Sequence, residues 1–416
     1  MQVILTQDYR MKIENIHIHN IGPFKDARVD FNTVSNMEDG TQPITVITGV
    51  NGAGKSIVLD AIRCALSGHS IGRSIVADKK DFLIEMDMVV DGEKCHAKTS
   101  TLNGEVINEA TDYYKVSRPL RFGYEKPEDC KDWVIDYWSS NTPTDGFKIT
   151  NMYAIDHKAV LKEALLGQKK NVDLINFICQ IDYLRTSEMP QEKALGNAMY
   201  EKLKEIIDSC LDNGKFLYIR RSDLTPIIEQ NGTELTFEKL SSGNLFLIQH
   251  ILLLMCKMYS VSVMRNLAPE DIFKIPGLLL IDEIETHLHP KWQKKILGII
   301  RNLFPNLQII LTTHSPFVVA SVDGAAIYTC IPHPDGNELR NETERYGHMP
   351  VDEVLASDVF GVNPFNEHIT ELMAKRKQYI EVGEIKNADK IAEQLYTLNP
   401  EYFVYLNKDL LGNEAH

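Results

Sequence analysis

The sequence predicts an α/β protein with a mixed sheet, an antiparallel β lobe, a helical insertion and a helical C-terminal tail. Three observations predict this class. A glycine-rich loop at residues 49–56 follows a short apolar strand. A second apolar segment, residues 277–281, ends in two carboxylates, as buried parallel strands do at a ligand-binding edge. Alternating apolar residues between Met11 and Phe31 indicate β structure before the loop.

The loop at residues 49–56 matches the phosphate-binding pattern G-x-x-x-x-G-K-[ST]. Its glycines allow backbone N–H groups to surround phosphate oxygens, and a helix from Ser56 to about Leu66 directs its positive N-terminus at the same anion. Lys55 is predicted to reach the β- and γ-phosphates of ATP, and Ser56 to offer its hydroxyl to Mg²⁺. The predicted ATP-contacting residues of this segment are Asn51, Gly52, Ala53, Gly54, Lys55, Ser56 and Ile57.

Residues 1–110 are predicted to form an N-terminal lobe around this loop. Asp91-Gly92 is a two-residue hairpin signal of the favoured primed type, and Asn103-Gly104 repeats that signal after the next strand. These turns predict an antiparallel meander attached to the nucleotide-binding sheet.

Residues 111–230 are predicted to form a mainly helical insertion. An aromatic-rich section leads into helical patterns from Ala159 to about Leu211, which lack the sustained heptads of a long coiled coil. Residues 231–330 are predicted to return to the nucleotide-binding lobe with a long apolar helix and two buried strands. Residues 331–416 are rich in helix formers and are predicted to form the tail.

Composition excludes several classes of protein. The longest apolar run, residues 245–255, is shorter than a membrane span, and residues 1–10 lack the features of a secretory signal. The seven cysteines occur singly, without a C-x-x-C pair. This pattern indicates reduced core cysteines in a cytoplasmic protein, and argues against a disulfide or zinc framework.

The net charge of −14 argues against a protein that binds nucleic acid over its whole surface. Contact with nucleic acid is therefore expected only through a local patch. Solvated helix faces are the alternative interpretation of each candidate patch. The candidates are Lys169-Lys170, Arg220-Arg221, Lys291 with Lys294 and Lys295, and Lys375-Arg376-Lys377.

Asp282 and Glu283 end the second apolar run. Asp282 is predicted to hold Mg²⁺ through water, and Glu283 to orient or deprotonate the water that attacks the γ-phosphate. An acidic helix cap is the alternative interpretation of the pair. His314 ends the following strand, and a core histidine is the alternative there.

Ser241, Ser242 and Gly243 stand at the start of the long apolar helix, followed by Asn244. A serine cap of the helix is the alternative interpretation of this segment. The decisive feature is the order along the chain, which runs from the glycine-rich loop through the serine–glycine segment and the acidic strand to the histidine.

This order, with a helical insertion between the lobes, resembles the P-loop ABC-type ATPases of the RecF, SMC and OLD group. The resemblance covers about residues 11–110 and 231–330. It implies a head-to-head dimer or a higher assembly of such dimers. Ser242 and Gly243 of one protomer, with Ser241 beside them, would touch the γ-phosphate bound by the other protomer, and His314 would contact it in its own chain. Residues 285–290 resemble the loop of this group that contacts the second protomer.

Two departures from the group imply slow or conditional hydrolysis. The group carries a glutamine after the first lobe, and no glutamine occurs here between Gln42 and Gln168. That role is therefore vacant or is filled by another residue. The serine–glycine signature also has Ser242 and Asn244 where transporter-type members carry glycine and glutamine.

Within the group, the short insertion and residues 285–290 and 347–362 resemble the stand-alone ATPases of bacterial antiphage systems such as PARIS, Septu and retrons. About 100 residues follow His314, fewer than the nuclease domain of OLD proteins needs. The resemblance therefore implies a separate effector, such as a nuclease. The alternatives are a DNA-binding repair ATPase of the RecF type and, in another class, the ATPase subunit of a membrane transporter.

Overall fold

The computed structural model describes most of the chain in two compact units, which divide between Val351 and Asp352. The described residues are 11–32, 42–67, 81–102, 105–109, 116, 120, 124, 126, 129–140, 149–162, 164–165, 173–361 and 365–406.

The strands of the described residues all lie in the first unit. They are β1 (Met11–Ile21), β2 (Phe24–Asp30), β3 (Ile44–Gly49), β4 (Leu83–Val90), β5 (Glu93–Leu102), β6 (Glu105–Glu109), β7 (Val134–Trp138), β8 (Gly214–Arg220), β9 (Thr225–Gln230), β10 (Thr233–Thr236), β11 (Gly277–Ile281), β12 (Leu307–Thr312), β13 (Ala326–Ile331) and β14 (Glu338–Asn341).

The α-helices of the same residues are α1 (Lys55–Ser67), α2 (His157–Lys162), α3 (Leu174–Leu184), α4 (Pro190–Ser209), α5 (Ser242–Arg265), α6 (Pro290–Gln293), α7 (Ile296–Leu303), α8 (Pro316–Val319), α9 (Thr343–Tyr346), α10 (Val351–Ala356), α11 (Glu367–Glu381) and α12 (Ile385–Leu398). Short 3₁₀ helices occupy Phe237–Lys239, Pro269–Lys274 and Val404–Leu406.

A six-stranded sheet forms the centre of the first unit, in the order β14-β13-β3-β12-β11-β7. Every pairing is parallel except that of β14, which runs antiparallel at one edge. β3, β11 and β12 are buried at every position, which explains their continuous apolar sequences. The predicted mixed sheet is therefore confirmed.

The antiparallel lobe is a five-stranded sheet in the order β2-β1-β4-β5-β6. Asp91 and Gly92, at φ 53° and 82°, form the turn between β4 and β5, as the hairpin signal predicted. The signal at residues 103–104 lies outside the described residues. The side chain of Gln308 on β12 bonds both backbone polar groups of Ile13, at 2.8 and 2.9 Å, and so ties this lobe to the central sheet.

A three-stranded antiparallel sheet, β10-β9-β8, follows the helices of the insertion. This sheet was not predicted from the sequence. The turn between β9 and β10 is Asn231-Gly232, with φ 52° and 77°, which is the same primed-turn signal as in the first lobe. The strands are short and β8 carries a register irregularity, so the alternation along them is weak.

Helix α5 corrects one sequence expectation. Among the described residues, this helix is long and apolar enough to cross a membrane by length and composition. It continues beyond residue 255, where the predicted apolar run stops, to Arg265. However, 89% of its apolar window is buried inside the protein, as in the core helix of a globular domain.

The second unit contains the helical hairpin of α11 and α12. Leu372, Leu395 and Phe403 form its small core, with Ile369 and Ile391 packed against them. Helices therefore occupy this part of the tail, as predicted.

A buried ion pair joins the central sheet to α5. Lys257 on α5 pairs with Asp136 on β7, and both residues are buried. The carboxylate of Asp136 also accepts hydrogen bonds from the Tyr137 N–H at 2.8 Å and the Trp138 indole at 3.0 Å. The charge of Asp136 is therefore matched by one cation and two further donors.

Replacing Lys257 by Ala is expected to lower the free energy of unfolding by about 3–5 kcal/mol, because the buried carboxylate loses its cation. Lys274→Ala is the matched control, since Lys274 forms an exposed pair with Asp271 and should change stability by less than about 1 kcal/mol. Urea denaturation followed by circular dichroism measures both, and equal losses would contradict a structural role of the buried pair.

Candidate nucleotide-binding site

The candidate site lies where neighbouring parallel strands end together. Ile281 at the end of β11 pairs with Leu311 of β12, and Thr312 of β12 pairs with Ile47 of β3. The residues that follow these strands therefore meet at one edge of the central sheet. These are the acidic pair after β11, the segment 313–315 after β12 and the glycine-rich loop after β3.

The glycine-rich loop requires its glycines for different reasons. Gly49 has φ 143°, and a Cβ there would lie 2.6 Å from the Cys330 carbonyl oxygen of β13. Gly54 has φ 100°, and a Cβ there would lie 2.7 Å from the ring carbons of Pro23 and Phe24. Gly52 has φ 77° and open space around it. The loop is thus packed from behind and open on the side of Gly52, which suits a bound anion.

Lys55 begins α1 and is buried. Its Nζ donates to the carbonyl oxygens of Gly49, at 2.9 Å, and Val50, at 3.1 Å. The ammonium group therefore lies inside the curve of the loop, beside the N-terminal end of α1, whose first N–H groups have no partner within the helix. A positive charge beside the N-terminal end of a helix fits a polyphosphate.

Ser56 and Asp282 meet across the site. The Ser56 hydroxyl donates to Asp282 Oδ1 at 2.7 Å, and the Thr312 hydroxyl donates to the same oxygen at 2.7 Å. Asp282 is buried, and its N–H donates to the Trp138 carbonyl at 2.9 Å. One hydroxyl and one fixed carboxylate are the hard oxygen ligands that Mg²⁺ prefers, so these residues fit the predicted metal site.

Glu283 occupies a strained backbone position, with φ 51°. Its N–H donates to Thr312 Oγ1 at 2.9 Å, and its carbonyl accepts from the Thr286 N–H at 3.0 Å. Both contacts hold the residue in this conformation, with the side chain half-buried next to Asp282.

Glu285 is a site residue for which the sequence predicted no chemical role. It is buried, and its Oε1 accepts from the His314 N–H at 2.7 Å and lies 2.7 Å from His314 Nδ1. Burial opposes its ionisation, but the bonds from His314 and from the Thr313 hydroxyl outweigh burial and lower the pKa of Glu285. The bond to Glu285 raises the pKa of His314, supported by the charges of Glu285 and Glu283 and opposed by burial and by Lys55.

The predicted signature lies at the N-terminus of α5. Ser241 is the N-cap, and its hydroxyl accepts from the Asn244 N–H at 3.2 Å. Ser241 and Ser242 are exposed, whereas Gly243 is buried and a Cβ there would lie 2.8 Å from the His287 carbonyl oxygen. The Asn244 carboxamide bonds the Cys210 carbonyl at 2.5 Å, so this asparagine anchors the signature to the end of α4.

The structure brings some predicted site residues together and leaves others apart. Lys55, Ser56, Asp282, Glu283 and His314 gather at the edge of the central sheet. No hydrogen bond among the described residues joins the signature serines or Gly243 to the glycine-rich loop. If the signature contributes to nucleotide binding, a single chain therefore does not form the complete site.

A family model described as "AAA domain" matches residues 15–231, just over half of the chain. The chain belongs to this family. A second model, "AAA domain, putative AbiEii toxin, Type IV TA system", matches residues 155–320. With the mixed sheet and antiparallel lobe in place, the predicted fold class, a P-loop ABC-type ATPase head, is confirmed.

Relatives of this AAA-domain protein include a retron protein and a Septu protein. The "Retron Ec83 probable ATPase" of Escherichia coli is 25% identical, over 77% of this chain and 71% of the relative. The "Septu protein PtuA" of Bacillus thuringiensis is 24% identical, over 93% of each chain. The predicted resemblance to retron and Septu ATPases is confirmed by these matches.

Among solved structures, an SMC head bound to the C-winged helix domain of ScpA is similar at 14% identity, with a TM-score of 0.48, over 79% of this chain and 97% of that chain.

Lys55→Ala is expected to weaken ATP binding by at least about a hundredfold, or about 2.7 kcal/mol, because the loop loses its only buried cation among the described residues. Lys291→Ala, which removes an exposed lysine paired with Asp212, serves as the control and should leave binding unchanged. Isothermal titration with ATP and Mg²⁺ measures both constants. An unaltered dissociation constant in Lys55→Ala would argue against the loop as the phosphate site.

Proposed function

We propose that this chain hydrolyses ATP in composite sites of a head-to-head dimer, and that it acts as the sensor or scaffold subunit of a bacterial antiphage defence complex. In this complex it holds or licenses a separate effector, such as a nuclease. The observation that carries the proposal is the division of the site. The carboxylates and the histidine lie with the loop at one edge of the central sheet, whereas no hydrogen bond among the described residues joins the exposed signature serines to that edge.

In the proposed reaction, Lys55 and the loop amides bind the β- and γ-phosphates. Ser56 and Asp282 would hold Mg²⁺, which when bound neutralises phosphate charge. Glu283 accepts a proton from the attacking water as the water oxygen bonds to the γ-phosphorus and the bond to the β,γ-bridging oxygen breaks. The products are ADP and phosphate. His314 and the partner's signature serines stabilise the γ-phosphate charge.

A role in defence is supported by the relatives, which are named as a retron ATPase and a Septu protein. The similarity extends over most of the length of each relative. The seven cysteines are free and buried, which supports a reducing cytoplasm. Three residues of the candidate basic patches are paired with acidic side chains, which lowers the positive charge that they offer to DNA. Arg220 pairs with Asp223, Arg221 with Asp182 and Lys291 with Asp212. Residues 169–170 lie outside the described residues.

Glu283→Gln keeps the size of the side chain but removes the proton acceptor. It is expected to lower kcat by at least about a hundredfold while ATP still binds, and so to accumulate ATP-bound dimers. Light scattering after gel filtration with ATP and Mg²⁺ measures the dimer, and phosphate release measures kcat. Hydrolysis at the wild-type rate would refute the assigned role of Glu283. Stimulation of the wild type by DNA would favour the repair alternative.

Mixing two inactive variants tests whether the site is shared between protomers. Lys55→Ala removes the loop cation, and Ser242→Asp repels the γ-phosphate while remaining favourable at the N-terminus of α5. A mixed dimer retains one site with both halves intact. An equimolar mixture should therefore recover up to about a quarter of wild-type activity, if protomers reassort randomly and sites act independently. No recovery after verified exchange of protomers would indicate that both halves act within one chain.

A further inference from the structure

We propose that Glu285 is a positioning residue for hydrolysis: its carboxylate orients the His314 ring and retains a proton on it, so that a charged ring faces the γ-phosphate. This inference rests on the proposed ATPase function and adds a residue whose effect is exerted entirely through His314.

The geometry converges on a single carboxylate. Oε1 of Glu285 meets both the backbone N–H and the ring Nδ1 of His314, each at 2.7 Å, and Oε2 accepts from the Thr313 hydroxyl at 2.6 Å. Glu285 is 6% exposed. Three donors from Thr313 and His314, directly after β12, therefore converge on one buried carboxylate, and the ring cannot rotate without losing its own bond.

If Glu285 only held the backbone in place, a carboxylate would not be required at this position. A neutral glutamine can bond a hydroxyl and an amide, whereas a buried carboxylate is costly unless a cation accompanies it. Among the ion pairs of the described residues, the cation facing Glu285 is His314. The choice of glutamate thus favours the protonated ring, and the ring in return favours the ionised carboxylate.

The contact also assigns the two ring nitrogens. Nδ1 faces Glu285, so Nε2 is the nitrogen available to substrate. The His314 side chain remains 48% exposed, and among the described residues the other charged groups that act on it are Glu283 and Lys55. Both belong to the candidate site. The pair therefore presents one N–H donor at the place where the γ-phosphate is proposed to bind.

The pH dependence of hydrolysis follows from the direction of the shift. Glu285 raises the pKa of His314, so the ring stays charged to a higher pH than an isolated histidine. The activity that depends on this charge is full below the raised pKa and is lost as the pH rises through it. Without the carboxylate, the same loss should occur at lower pH.

Glu285→Gln tests this inference. We expect kcat to fall about 10- to 100-fold, with little change in KM for ATP, as for other outer partners of a functional histidine. The alkaline limb of the plot of kcat against pH, where activity falls as the pH rises, should move to lower pH. Thr313→Val is the matched control, because it removes the bond to Oε2 and the bond from the Ser315 N–H but leaves the contact between Glu285 and His314. It should lower thermal stability without moving the limb.

A double-mutant cycle shows whether Glu285 acts through His314. Glu285→Gln should have no further effect on kcat in a His314→Gln background. Two outcomes would overturn the inference: additive effects of the two substitutions, or an unmoved pH limb in Glu285→Gln with a stability loss like that of Thr313→Val.

Histidine NMR provides a readout that does not require hydrolysis. With ¹⁵N-labelled histidine, and the signal of His314 assigned from the His314→Gln spectrum, the ring should titrate at lower pH in Glu285→Gln than in the wild type. An unchanged titration would refute the pairing. If the wild type shows no hydrolysis, the proposed function fails, while this titration still tests the pair.

Discussion

Parallel pairing of β3, β12 and β11 in one register is the constraint on which the candidate site depends. It brings Gly49, Thr312 and Asp282 to the same edge, although they are far apart in the chain. The Asp282 carboxylate then accepts from Ser56 of α1 and from Thr312 of β12 through one oxygen. A shift of β11 by one residue would turn Asp282 to the opposite face and separate all three groups.

The surroundings of the loop hold it in shape from several directions. Asn337 in the turn between β13 and β14 donates to the Ala53 carbonyl at 2.9 Å, and its N–H donates to the Pro23 carbonyl at 2.7 Å. Pro23 and Phe24 in turn pack behind Gly54. The antiparallel lobe and the edge of the central sheet therefore fix the rear of the loop, which leaves its open side for a ligand without a large reorganisation.

The loops around the acidic pair form a second connected region. Glu285 holds the end of β12, and Gln293 on α6 bonds the Leu288 carbonyl at 2.7 Å and the Ser315 hydroxyl at 2.5 Å. His287, at φ 65°, places its carbonyl against Gly243 of the signature. The proposed γ-phosphate contacts and the signature of the same chain are thus connected through residues 285–293.

The sequence by itself determined the glycine-rich loop, the strand that leads to it and the two acidic residues that follow β11. These features depend on short segments whose local residue types dictate the shape of the backbone. It also indicated the relatives, since the order of motifs is readable along the chain. It missed the sheet β8–β10, whose short irregular strands carry little periodicity. Only the tertiary structure decided the partner of Glu285 and the contact of Gly243 with the His287 carbonyl, because both depend on how strands and helices distant in sequence pack together.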